Sequence, residues 1–195
     1  LVQIKQTRGI KIPLPVPRLR IVIFKQEHFL RLYAGTTYLK SFLISLGQTG
    51  LDDKQKQGDH LTPEGVFYFV TRNALYGSKM LGFMGISYPN SEDAMRLYAE
   101  DSDNLVLARD IIRATRQRKT DDFTRFWYTG LGGEVGIHGG SGITFGGGKA
   151  HGHDWTWGCI GLRDNDMIEL REAIPSLDEH ITPVVIFHSI KDLED

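Results

Sequence analysis

The sequence predicts a β-rich α/β domain, and three observations carry that expectation. Short β-branched or aromatic runs, Ile21-Val22-Ile23-Phe24, Phe29-Leu30-Arg31-Leu32-Tyr33 and Tyr38 to Leu46, are separated by Gly and polar turns, the pattern of a strand meander. Helical periodicity is confined to a middle stretch and one late segment. The chain then closes on Thr182 to His188, where Val184-Val185-Ile186-Phe187 reads as a buried strand. A length of 195 residues, 41% of them apolar, suffices for one domain with a sizeable core.

Taken in order, residues 1–17 read as a linker-like N-terminal segment, because Pro13, Pro15 and Pro17 alternate with apolar residues and exclude a helix. Structure is expected to begin near Arg18, giving a domain over 18–195. The chain opens on Leu1 rather than Met, so the natural N-terminus and any export signal or anchor are expected to lie outside it. Asp59 to Glu64 has the punctuation of a turn entering a strand, and Val66 to Thr71 is that strand. After Asn90, Ser91-Glu92-Asp93 places acidic residues in the first turn of a helix. A second helix is predicted over Leu105 to Arg118, with Leu105, Ala108, Ile111, Ile112 and Thr115 at helical spacing. Glu134–His138 and Cys159–Leu162 are expected as strand ends. A last helix should start near Asp166, which has capping-box spacing to Glu169, and stop at Pro175.

Composition excludes several functions. A formal net charge of −1, with acidic and basic residues interspersed, gives no electrostatic case for nucleic acid or an anionic membrane. No apolar stretch is long enough to span a bilayer. One cysteine cannot form an intrachain disulfide, so cysteine usage leaves the compartment open.

That cysteine carries the chemistry. Cys159 lies in Asp154-Trp155-Thr156-Trp157-Gly158-Cys159-Ile160-Gly161-Leu162, downstream of Val135-Gly136-Ile137-His138-Gly139-Gly140. A thiolate attacks carbonyl carbon, and an imidazole can take the thiol proton and return one to a leaving amine. Cys159 is the candidate nucleophile and His138 the candidate base. Glycines flanking both let backbone approach a ligand closely. The main-chain N–H groups of Trp157, Gly158 and Cys159 are candidate oxyanion donors, a role worth about 3–4 kcal/mol per donor. Thr156 is a candidate for positioning the loop or His138, or for tying off a turn. Asp154 is expected to bond its own backbone. Trp155 is read as packing, and Trp157 as packing or a wall of the substrate groove.

Two other chemistries are weighed and set aside. His138, His151, His153, Asp154 and Cys159 are possible zinc ligands, but neither HExxH nor paired CxxC spacing is present, so no metal is assigned. Gly146-Gly147-Gly148-Lys149-Ala150 departs from a phosphate loop at Ile143 and Ala150. Ser141 to Lys149 reads instead as a flap able to close over a peptide, or as an ordinary loop.

The site sequence resembles the catalytic domain of the L,D-transpeptidases, the YkuD-type cysteine enzymes of bacterial peptidoglycan. Their signature, His-Gly followed by Ser/Thr-x-Gly-Cys-hydrophobic, corresponds to His138-Gly139 and Thr156-Trp157-Gly158-Cys159-Ile160. Further landmarks in the family's order are Ser45-Leu46-Gly47, Gly58 to Phe67 and Gly85-Ile86-Ser87-Tyr88-Pro89-Asn90, so the resemblance covers roughly 18–188. Many members carry a second histidine two residues before the cysteine and Arg or Asn two residues after it; here those places hold Trp157 and Gly161. The Asp-Trp-Thr-x-Gly-Cys form resembles the branch that includes hydrolytic members.

The resemblance implies a mixed β-sandwich core with a few peripheral helices, and a cysteine acyltransferase that attacks the L-centre carbonyl of the stem-peptide diamino acid without a cofactor. It implies peptidoglycan stem peptides as partners, with a lipoprotein lysine or water as other acceptors, and the cell envelope, in the periplasm. Gly139, Thr156 and Arg163 are then substrate-binding or positioning candidates. Arg163 reads either as a displaced contact to a substrate carboxylate or as a solvated surface charge. A wall-binding module that has kept the fold and lost the chemistry is the competing reading.

Overall fold

In the computed structural model, residues 4–7, 9–13, 18–76, 80–121, 123–140, 153–174 and 181–193 are described. An antiparallel hairpin of β1 (Ile4–Thr7) and β2 (Ile10–Pro13) comes first. This corrects the expectation that structure starts near Arg18. Prolines exclude a helix but not a short strand, and Ile10 is buried in the main core.

A five-stranded mixed sheet follows, built from β3 (Leu19–Phe24), β4 (Phe29–Ala34), β5 (Thr37–Leu43), β6 (Gly65–Tyr68) and the late strand β11 (Pro183–Phe187). Its order is β5-β4-β3-β11-β6, with β3 and β11 parallel and the other pairs antiparallel. Central β3 is a near-continuous apolar run because both of its faces are covered. β4 alternates instead: Leu30, Leu32 and Ala34 are buried, and Phe29, Arg31 and Tyr33 are half-buried.

The second sheet has four strands in the order β10-β9-β8-β7: β7 (Asn73–Tyr76), β8 (Met80–Gly85), β9 (Gly136–His138) and β10 (Ile160–Gly161). Only β9 and β10 pair in parallel. Single bridges join the sheets at Ser45–Gly161, Gly47–Thr156 and Phe69–Ile86. The β7–β8 hairpin is not announced by the sequence. β8 carries Gly82 at φ +62°, and a Cβ on Gly85 would lie 2.8 Å from the Trp127 ring. Both positions suit glycine and interrupt the apolar alternation that announces a strand.

Among the described residues three α-helices join the sheets: α1 (Ser91–Glu100), α2 (Leu105–Arg116) and α3 (Asp164–Ala173). Asn90 caps α1 and forms a capping box with Asp93. The box expected at Asp166 and Glu169 is absent: α3 opens at Asp164 behind Arg163, which makes no side-chain cap, and Glu169 pairs with Lys40 at 2.6 Å. Pro175 lies outside the described residues.

Burial separates two apolar clusters. One fills the space between the sheets and includes Ile21, Ile23, Leu32, Ile137, Ile160 and Val184. The other lies under α1, α2 and a 3₁₀ segment over Phe123–Tyr128, and includes Phe83, Ala94, Ile111, Phe126 and Trp127, with Cys159 packed against it.

Candidate active site

The β9–β10 register sets the two candidate residues on neighbouring positions of one ladder. Ile137 pairs with Ile160 and His138 with Gly161. Successive side chains on a strand alternate between faces, so Ile137 and Ile160 enter the core between the sheets. Continued one residue back, the register sets Cys159 beside Gly136, on the face of His138. Cys159 and His138 are diagonal neighbours across this ladder. The Cys159 thiol donates to the Glu134 carbonyl at 3.3 Å and is half-buried.

Desolvation sets both protonation states. Burial pushes the Cys159 thiol up to about 11; a hydrogen bond from the Gly136 backbone opposes the rise, the Glu134 carboxylate adds to it and the Lys54 ammonium opposes it. His138 is 1% exposed, and burial holds its imidazole below the ordinary histidine range, against the hydrogen bond to Gly139. Near neutral pH the resting pair is therefore a neutral thiol and a neutral imidazole. His138 Nδ1 lies 2.6 Å from the Gly139 carbonyl oxygen. It is the donor in the matching tautomer, which leaves Nε2 with its lone pair. Gly139 thus acts on the imidazole through its backbone oxygen.

Aromatic rings wall the imidazole. Phe83 stacks at 6.5 Å and 26°, and Trp155 meets it edge-on at 5.6 Å and 75°. The Trp155 position depends on Gly161, where a Cβ would lie 3.0 Å from Trp155 Cζ2. The absence of a side chain two residues after the cysteine is what admits the indole.

Thr156 organises the turn into Cys159. Its buried hydroxyl donates to the Cys159 carbonyl at 2.7 Å and accepts the Gly158 N–H at 3.1 Å. Its backbone exchanges hydrogen bonds with Leu46 and Gln48. The Gly158 amide, an oxyanion candidate by its place next to Cys159, is directed to this hydroxyl. Gly158 sits at φ +123°, and a Cβ there would meet the Leu61 carbonyl at 2.7 Å. Asp154 does not bond its own backbone as expected: it accepts the Leu46 N–H at 2.7 Å and faces His28 Nε2 at 3.1 Å. That pair ties the start of the Asp154–Cys159 loop to the β3–β4 turn.

Arg163 is exposed at the start of α3. Asp164 beside it accepts the Gly140 N–H at 2.6 Å and anchors the strand end that carries His138. The flap expected over Ser141 to Lys149, and His151 with it, lie outside the described residues. Among the described residues no group of three or more His, Cys, Asp or Glu side chains is arranged to hold a metal. No helix there is long and apolar enough to cross a membrane. The roles of Phe83, Lys54 and Glu134 were not legible in sequence, since only the fold brings them to Cys159 and His138.

Comparison with known proteins gives three findings. Residues 18–186 match a family model described as the L,D-transpeptidase catalytic domain. Over 83 residues the chain is 42% identical to YafK of Escherichia coli (strain K12), provisionally named an L,D-transpeptidase; the match covers 40% of this chain and 33% of that protein. The fold aligns with the helical cell shape determining protein Pgp2 from Campylobacter jejuni at a TM-score of 0.52 and 17% identity, over 96% of this chain and 51% of that one. Bd1075 of Bdellovibrio bacteriovorus aligns at 0.49 and 18%, over 97% and 52%. The match thus spans about a third of the curated relative and about half of each solved chain.

Proposed function

Because the chain belongs to the L,D-transpeptidase catalytic-domain family, we propose that it is a peptidoglycan-directed cysteine acyltransferase with Cys159 as nucleophile and His138 as base. The observation that carries this reading is the placement of a lone thiol and a buried imidazole with an open Nε2 on one face of the β9–β10 ladder.

With both groups neutral at rest, proton transfer accompanies attack. His138 Nε2 takes the thiol proton as Sγ bonds to the carbonyl carbon on the L-centre of the diamino acid. The carbonyl oxygen becomes an oxyanion, for which the N–H groups of Cys159 and Trp157 are the nearest donors in sequence; engagement by Gly158 requires its amide to leave Thr156. Collapse breaks the C–N bond, and the His138 imidazolium gives its proton to the departing D-residue amine. A thioester on Cys159 remains. Attack by another stem's side-chain amine gives a 3–3 cross-link, a lipoprotein lysine gives an anchored protein, and water gives carboxypeptidase or endopeptidase activity.

Hydrolysis is the second reading, favoured by the partial exposure of Cys159, which admits water to a thioester formed there. With a wall substrate the protein works in the envelope, in the periplasm. The test is mass spectrometry of tetrapeptide and cross-linked muropeptides after incubation with the protein and with Cys159→Ala. Loss of terminal D-alanine, a new 3–3 dimer or a cleaved bridge, absent in the variant, is the expected result. Unchanged substrates with both proteins would move the assignment to a wall-binding module.

A further inference from the structure

Two residues before Cys159 the chain holds a large apolar ring out in solvent: Trp157 is 75% exposed. The ring is not left to rotate freely. It lies parallel to the imidazole of His60, with centroids 5.5 Å apart and planes 11° from parallel. One face of the indole is backed and the other is open.

Three loops converge to build this ledge. His60 sits in the left-handed region at φ +55°, and Gln48 Nε2 lies 3.1 Å from its Nδ1. Gly47 passes so close that a Cβ there would lie 2.1 Å from the His60 carbonyl oxygen. Gly158, left-handed and pressed on Leu61, fixes the other side. Uncommon backbone conformations of this kind concentrate where a ligand is held.

The acidic group next to the ledge is spoken for. Asp59, next to His60, is paired with Lys54 at 2.6 Å and accepts the backbone N–H groups of Gln55, Lys56 and Leu61. What faces solvent is an aromatic plane rimmed by the Gln48 amide. With the Asp59 and Lys54 charges satisfied by each other, the recognition surface left to a ligand is chiefly the aromatic plane. The glycan offers an uncharged ring with an apolar C–H face and a rim of hydroxyl and acetamido groups. An aromatic plane with a few placed polar groups is the composition of a small-molecule subsite.

We propose that Trp157 and His60 form a saccharide subsite, in which a pyranose of the wall substrate lays its C–H face on the indole and the Gln48 amide bonds its rim. The proposal rests on the peptidoglycan reading above and names the part of the substrate that this surface takes.

The test is calorimetric titration of Cys159→Ala protein, in which no thioester can form, with a disaccharide-tetrapeptide and with the same tetrapeptide lacking sugar. The sugar-bearing ligand is expected to bind about three- to tenfold more tightly. That advantage should vanish when Trp157→Ala is added and largely survive Trp157→Phe. Equal affinities, an advantage that persists in Trp157→Ala, or binding of neither ligand would overturn the subsite. Covalent labelling of the unmutated protein by the same disaccharide-tetrapeptide reports separately on Cys159, so the subsite and the acyltransferase reading stand or fall apart.

Discussion

Lys25 and His138 are almost equally removed from water, at 0% and 1% exposure, yet the chain surrounds them differently. Lys25 donates all three of its ammonium hydrogens, to the carbonyls of Asp52 and Thr62 at 2.8 and 2.7 Å and to Glu64 at 3.0 Å. Burial lowers its pKa, and the Glu64 carboxylate opposes that drop. The group is saturated and ties β3 to the segments around residues 52 and 62. Among the described residues the His138 ring has one hydrogen bond, through Nδ1, and aromatic walls on two sides. Its other nitrogen has no partner among the described residues. Lys25 makes every bond it can, as a structural buried cation must; under the proposed role of His138 as base, its free nitrogen is the one that takes the proton, and burial keeps the ring neutral.

This contrast can be broken at either end, and the largest effect is expected at the reactive one. Cys159→Ala should abolish acyl transfer, and His138→Ala should lower kcat/KM by roughly 10²- to 10⁴-fold, the range of general-base catalysis. Steady-state assays on muropeptides give both numbers. At the other end, Lys25→Ala should cost about 3–5 kcal/mol of stability, because Glu64 and two carbonyls lose a buried partner. Urea denaturation measures this, and activity per folded molecule should hold. A midpoint equal to the unmutated protein would mean that the ammonium is not structural.

Smaller effects sharpen the comparison. Gly161→Ala puts a Cβ against Trp155 and should lower kcat by roughly tenfold, the scale of a mild overpacking strain, with KM kept. Adding Trp155→Phe should restore part of the loss by shrinking the ring. The pH dependence follows from the sign of the His138 shift. Its folded pKa is depressed, so the acid limb of kcat/KM should fall below the ordinary histidine value of 6.5. For stability, the unfolded ring takes a proton below 6.5 that the folded ring refuses, so this contribution is present above 6.5 and is lost as pH falls through the window beneath it. Denaturation midpoints between pH 5 and 7.5, compared with His138→Phe, isolate that slope.

What the sequence disclosed and what it hid follow the same physics. Cys159 and His138 could be singled out as candidates because their neighbours Thr156, Gly158 and Gly139 are local in sequence and act through backbone and close approach. β4 and α2 were legible because burial repeats at the period of the element, β3 because its apolar run is bounded by turns, and α1 because of the acidic residues in its first turn. Contacts made only by the fold were hidden. Nothing local in sequence marks Lys25 and Lys54 as buried, yet both are, and Lys54 pairs with Asp59. The stacking of His60 on Trp157 joins distant loops. β8 was obscured by Gly82 and Gly85, and the Ile4–Pro13 hairpin by its prolines.

The central claim is that Cys159 carries the acyl group. Intact-protein mass spectrometry during turnover of a disaccharide-tetrapeptide, followed by peptide mapping, tests it most directly. The account predicts an adduct equal to the substrate minus its terminal D-residue, on the peptide containing Cys159 and absent from Cys159→Ala. Turnover that persists in Cys159→Ala, or an adduct mapped to another residue, would contradict it.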